Sequence, residues 1–186
     1  MPRRLIKQMT ARFQPAVDAV TNHPWTRRHL PALSDPDLWH LNRRSTARAV
    51  AIGLACGLIP GPLQAVGALA FCLVFRANVP LAVATTFYTN PLTIVPLYLV
   101  AYEYGMLVLP SEGHAGALIP PDIRLSSDGL HDLFHWMAGL GPPLALGLVL
   151  LSLTLATVGF FAVSLAWRWH TVRAWRRRAR LRSLAA

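Results

Sequence analysis

Five neutral polar residues, Gln64, Thr86, Thr89, Asn90 and Thr93, interrupt long apolar runs and are the groups best placed to meet a polar ligand. Amides and hydroxyls donate and accept hydrogen bonds but carry no proton that titrates near neutral pH, so their chemistry is recognition rather than acid–base work. They flank two sets of helix-breaking residues, Pro60-Gly61-Pro62 and Pro91. Proline lacks a backbone donor and crowds the preceding turn, so each set predicts the end of one helix and the start of another. The two breaks are expected to meet in a candidate midplane polar site. A second role for the same side chains is to satisfy the backbone freed at the breaks and hold helices together, for about 0.6 kcal/mol each.

Arg43, Arg44 and Arg48 cluster just before the first apolar run, with Arg44 and Arg48 one helical turn apart. Guanidinium groups grip phosphate bidentately, which makes these three a candidate phosphate or headgroup site; plain electrostatic anchoring to anionic lipid is the simpler alternative. His131 and His135 are spaced to share a metal, but no third ligand is fixed by spacing, with His114 the only loose candidate. Neither a metal nor a cofactor is expected. No nucleophile with a base partner is recognisable and no charged group lies inside an apolar run, so the chain reads as a non-enzyme. Cys56 and Cys72 both lie within the first run and read as packed, reduced residues.

The elements that must position these groups follow from where charge is missing. No Asp, Glu, Lys or Arg occurs in residues 49–75, 77–102 or 140–167. A bilayer core of roughly 30 Å takes about 20 helical residues, so each stretch is long enough to reach across. The predicted fold class is therefore an all-α integral membrane protein, built from a proline-broken, re-entrant hairpin and transmembrane helices. Its domains are a basic arm (1–35), a membrane domain (36–167, with apolar segments 49–75, 79–102 and 143–167 and an outer loop 103–141) and a basic tail (168–186). The N-terminal run has no continuous apolar core and does not read as a cleavable signal.

Charge orients the chain. Residues 1–48 hold nine Lys/Arg against three acids, the tail holds seven Arg and no acid, and the 103–141 connection holds five acids against Arg124. Both ends are expected on the cytoplasmic side of a bacterial inner membrane, with the acidic connection outside. The basic tail opens on Trp167-Arg168-Trp169, which suits an interface with anionic lipid better than nucleic acid.

Two ends inside require an even number of crossings, yet there are three apolar stretches. Either the first stretch turns back at Pro60–Pro62, or it crosses and the second turns back at Asn90-Pro91. The two differ in the side given to Arg76, and a lone arginine favours the first. Leu5, Ile6, Met9, Phe13 and Val17 predict an amphipathic helix on the inner leaflet, Ser34-Asp35-Pro36 a helix start, and Pro110 to Asp128 a loop. Leu130, Leu133, Phe134 and Met137 predict the apolar face of a short interfacial helix. Gly53 and Gly57 form a GxxxG that favours close helix packing.

The order Asp35-Pro36-Asp37-Leu38-Trp39-His40-Leu41-Asn42-Arg43-Arg44-Ser45, then Ile59-Pro60-Gly61-Pro62-Leu63-Gln64, then Thr89-Asn90-Pro91-Leu92-Thr93 resembles the bacterial domain-of-unknown-function family 2062. The resemblance covers roughly residues 25–170. It implies an inner-membrane protein that stands alone or is joined to a membrane-associated glycosyltransferase, and it implies no activity. Two functions are expected: a carrier of an anionic lipid, a lipid-linked phosphate or a small solute through the broken helices, or a scaffold that recruits a cytoplasmic partner such as a glycosyltransferase. Anionic lipid headgroups and a second copy of the chain are the other expected partners.

Overall fold

The computed structural model describes residue 35 and residues 38–90, 92–110 and 127–183. The amphipathic helix and helix start expected before residue 37, Pro91 itself, and the loop over residues 111–126 lie outside the described residues. Within them the chain is all helical, without strands: α1 (Arg43–Cys56), α2 (Leu63–Phe75), α3 (Val79–Thr86), α4 (Ile94–Val108) and α5 (Ser127–Ser183).

Local sequence explains most of the helix ends. The Asn42 side chain accepts Ser45 N–H at 2.8 Å and starts α1, and Asn78 accepts Leu81 N–H at 3.0 Å and starts α3, with Pro80 in its first turn. Asparagine at this position satisfies a donor that the helix itself leaves free. Because Asn78 is buried, Asn78→Ala should lower unfolding stability by about 1 kcal/mol. An unchanged midpoint in a denaturant titration of the variant would show that the cap is dispensable.

The chain folds back at Pro60-Gly61-Pro62, where Gly61 takes a left-handed φ of 74°. α2 then returns beside α1, and Arg48 Nη1 donates to the carbonyl of Phe75 at 3.0 Å, joining the start of the hairpin to its end. Arg76 caps α2 in the left-handed conformation that glycine usually supplies. The hairpin core holds Leu38, Ala49, Cys56, Ala68, Cys72 and Ala82, and both cysteines are free thiols.

α3 runs parallel to α1. Gly53 faces the carbonyl of Ala82 and the side chain of Thr85, which brings the α1 and α3 backbones close, whereas Gly57 makes room for the ring of Tyr88. The second break does not fold back. Gly147 of α5 abuts Ala101 of α4, whereas Gly159 of α5 abuts Val50 and Leu54 of α1. Twelve helical residues separate those two contacts, about 18 Å. α4 therefore continues past the hairpin tip, and α1 and α4 follow one another along α5. The hairpin covers only part of the bundle's length.

The expected boundaries change on the C-terminal side. The stretch assigned to an outer loop, 103–141, is helical at both ends: α4 runs on to Val108, and α5 begins at Ser127. α5 bends at Gly141, whose φ of 67° and ψ of −157° are open to glycine alone, directly before Pro142-Pro143. Its first arm is not a free interfacial helix. Leu133, Trp136 and Leu140 pack into a core with Tyr98, Ala101 and Tyr102, while Phe134, expected on the apolar face, is exposed. The spacing of Leu133, Trp136 and Leu140 is the stripe that α4 selects.

After the bend α5 is one helix through the apolar stretch and on to Ser183. Residues His131–Arg173 are long and apolar enough to cross a membrane, and only 11% of the most apolar window is buried in the chain. The core helix of a soluble domain buries most of such a window. α2 and α4 are shorter apolar helices.

Candidate functional site

The two breaks come together, and hydroxyl groups of the second cover carbonyls of the first. The last turn of α1 leaves carbonyl oxygens without helical donors, as every helix end does. Tyr88 Oη donates to Leu54 O at 2.8 Å, Thr89 Oγ1 lies 2.6 Å from Gly57 O, and Tyr98 Oη donates to Leu58 O at 2.7 Å. The second break thus supplies a three-hydroxyl cap for the first.

Thr89 is the centre of this junction. Besides Gly57 O, its hydroxyl lies 3.0 Å from Thr86 O and 3.1 Å from Gln64 Oε1. A hydroxyl has one proton, so it serves one of these three acceptors at a time. The junction is rich in acceptors, and a group that brings further donors, such as a hydroxyl or an ammonium, complements it.

The remaining expected residues divide by role. Thr86 is buried and its hydroxyl donates to Val83 O of its own helix at 2.8 Å, which turns it inward as packing. Asn90 Oδ1 accepts Leu92 N–H at 2.9 Å and Thr93 N–H at 3.0 Å, and Thr93 Oγ1 donates to Tyr88 O at 2.8 Å while accepting Asn90 N–H at 2.9 Å. These bonds shape the break itself. Asn90 is exposed, and with its oxygen so engaged its NH2 group is what its side chain still has to offer. Gln64 and Thr89 are adjacent, and Asn90 follows Thr89 at the rim.

Pro60, Gly61 and Pro62 form the tip beneath Gln64, with Pro62 exposed. The arginine cluster lies at the opposite end of α1. Arg43 and Arg44 are exposed, and Arg48 already uses one of its five N–H donors on Phe75 O. Ser45 Oγ and Thr46 Oγ1 beside them are buried without a hydrogen-bond partner among the described residues. The His131 and His135 rings meet edge to face with centroids 4.5 Å apart, both exposed. Among the described residues no group of three or more His, Cys, Asp or Glu is placed to hold a metal.

Tyr88 and Tyr98 are the junction residues that sequence reasoning missed. Their signal was present: a tyrosine inside an uncharged run must find an acceptor for its hydroxyl when buried. Which acceptor it finds, 34 and 40 residues away, was not readable.

Comparison with known families finds a match to the family described as "Uncharacterized protein conserved in bacteria (DUF2062)", over residues 26–176. No curated protein and no solved structure matches the chain.

Proposed function

The chain belongs to DUF2062, a family of uncharacterized bacterial proteins, and from that premise we propose that it is a small membrane-embedded carrier. The observation that carries this reading is the contact between the two breaks, where the Thr89 hydroxyl lies within hydrogen-bond reach of both Gly57 O and Gln64 Oε1. Non-helical backbone within an apolar bundle is tolerated where protein or a water-lined cavity satisfies it, and broken helices that meet this way surround the binding sites of secondary transporters. The exposed apolar surface of α5 supports membrane placement.

In this reading the chain sits in the bacterial cytoplasmic membrane with both basic ends in the cytoplasm. The α1–α2 hairpin enters from that side and returns, α3 and α4 together cross outward, and α5 crosses back. α1, at 14 residues, reaches about 21 Å, enough to bring its tip near mid-depth. The ligand is an anionic lipid, a lipid-linked phosphate or a small polar anion. Arg43, Arg44 and the free donors of Arg48 receive its phosphate at headgroup depth. Gln64, Thr89 and Asn90 then meet its hydroxyl or amine groups at the junction.

Reconstitution tests this directly. Liposomes holding the purified chain should move a labelled lipid phosphate or a small phosphorylated solute at least several-fold faster than empty liposomes. Gln64→Leu should remove most of that flux, because Gln64 is half-buried and lies at the junction. Flux no greater than in empty liposomes across both substrate kinds would remove the reading.

A second reading is favoured by one feature of α5. The helix continues beyond the apolar stretch to Ser183, Arg173 stacks over Trp169 at 3.6 Å, and Trp175 is exposed. A rigid basic helix with exposed tryptophans suits a scaffold that holds a cytoplasmic partner such as a glycosyltransferase. Deleting residues 170–186 should release that partner from detergent extracts, and undiminished recovery would count against the scaffold.

A further inference from the structure

We propose that the break junction binds a monovalent metal ion of the size of Na+, held by Gly57 O, Thr86 O, Thr89 Oγ1 and Gln64 Oε1. The inference rests on the junction being a ligand site, as in the carrier reading, but not on which solute is carried.

Four oxygens converge here around the proton of one hydroxyl. Thr89 Oγ1 lies 2.6 Å from Gly57 O, 3.0 Å from Thr86 O and 3.1 Å from Gln64 Oε1. That proton serves a single acceptor at a time, so the other close oxygen–oxygen contacts have no proton from Thr89 between them. Thr86 O also accepts Thr89 N–H, but only at 3.4 Å. Leu54 O and Leu58 O on either side have tyrosine hydroxyls of their own, so the surplus of acceptors falls on Thr89. Thr89 is 8% exposed, and acceptors kept from water without donors are costly. A cation lying among the oxygens removes that cost.

The local field sets the charge of the ion. α1 ends at Cys56 with Gly57 as its cap, and the parallel α3 ends at Thr86, so two helix C-termini meet at Thr89. Each carries about half a negative charge, together about one elementary charge. The N-termini of α2 and α4 are turned onto their own breaks, where Ala65 N–H donates to Pro62 O and Ile94 N–H to Asn90 O. No Asp or Glu occurs in residues 38–102, so a divalent ion would bury a second charge without compensation. Unwound carbonyls and half-helix C-terminal ends are the groups that coordinate Na+ in broken-helix transporters.

Spacing favours a metal ion over an ammonium group. An ammonium directs its protons at tetrahedral angles, which spreads its acceptors roughly 4.5 Å apart at ordinary hydrogen-bond lengths. A metal ion has no such directions and draws neighbouring oxygens to roughly 3 Å of one another. Gln64 is half-buried, so its side of the junction is the way in. In the carrier reading the bound ion offsets the charge of an anionic ligand brought to the same depth, and the two move together.

Equilibrium binding of radiolabelled Na+ to the purified full-length chain in detergent tests the site without transport. A single saturable site is expected. Thr89→Val, which keeps the shape and removes the oxygen, should weaken it at least about tenfold, and Gln64→Leu should weaken it several-fold. Thr89→Ser retains the hydroxyl and should restore binding, which separates loss of an ion ligand from loss of folding. No saturable binding by the folded parent chain, or binding that Thr89→Val and Gln64→Leu both leave unchanged, would overturn the site. Competition by methylammonium equal to that of unlabelled Na+ would overturn the metal ion in favour of an ammonium group. Na+ binding by a chain that moves no phosphate would support the site and remove the carrier, whereas phosphate flux without Na+ binding would do the reverse.

Discussion

Gly147→Ala or Gly105→Ala will destabilise the chain by about 3 kcal/mol or more. The two glycines interlock where α4 crosses α5. A Cβ on Gly147 would overlap the carbonyl group of Ala101, and one on Gly105 would overlap the carbonyl group of Pro143. In each case the obstacle is backbone, so no side chain can rotate away. The helices would have to part by about 2 Å, which strips close-packed contacts from the surrounding core. That core includes Tyr98, Tyr102, Leu144 and Leu151.

Gly67→Ala is the matched control. Its Cβ would sit 3.4 Å from Ile59 Cδ1 and 3.6 Å from Cys56 Sγ, ordinary contacts with side-chain ends. Alanine is also the better helix former, so this change should be neutral or stabilise by up to about 1 kcal/mol. Denaturation in mixed detergent micelles, followed by tryptophan fluorescence, measures all three. If Gly147→Ala and Gly67→Ala unfold at the same detergent fraction, the close α4–α5 crossing is not a feature of the folded chain.

Removal of the three junction hydroxyls, in Tyr88→Phe/Thr89→Val/Tyr98→Phe, will cost about 3 kcal/mol together. Each replacement keeps shape and removes the donor, leaving Leu54 O, Gly57 O or Leu58 O without it. Tyr98→Phe should be the largest single loss, about 1–2 kcal/mol, because that side chain is fully buried. The Tyr88 and Thr89 changes should add less than their separate sum suggests, since their acceptors share one helix end. The same titration reads the outcome. A triple variant as stable as the parent chain would mean that water or lipid satisfies these carbonyls equally well, and that the hydroxyls do not hold the breaks together.

This variant also separates two roles of the junction. If the polar groups only complete the backbone, loss of flux in the reconstituted system should follow loss of stability from variant to variant. Gln64→Leu breaks that link in the carrier reading, with flux lost and stability nearly retained. Among the described residues its side chain meets Thr89 Oγ1 rather than a backbone group of the breaks.

Much of the fold was legible because it follows from local chemistry. Pro60-Gly61-Pro62 and the Asn90-Pro91 pair end helices wherever they occur, since proline lacks a donor and crowds its predecessor. The uncharged stretches marked the bodies of the helices though not all their ends, and Gly53 announced a close backbone approach that α3 provides, while Gly57 admits the ring of Tyr88. Thr89 and Gln64 were recognisable as two of five candidates because polar groups beside a break need partners, though their contact was not readable.

What the residues alone left open depends on contacts between distant segments. Either break was able to fold the chain back; the packing of α3 along α1 and of α4 along α5 selects the first. The run at Leu133 to Leu140 was amphipathic by pattern, but only α4 decides that Trp136 turns inward and Phe134 outward. Gly105 and Gly147 carry no signal in isolation, since a glycine in an apolar helix matters only when another backbone arrives against it. The hydroxyl cap is of the same kind. Proline acts on its neighbours through bonds, whereas Tyr98 meets Leu58 only once the intervening chain has folded, so backbone breaks belong to the sequence and their meeting belongs to the tertiary structure.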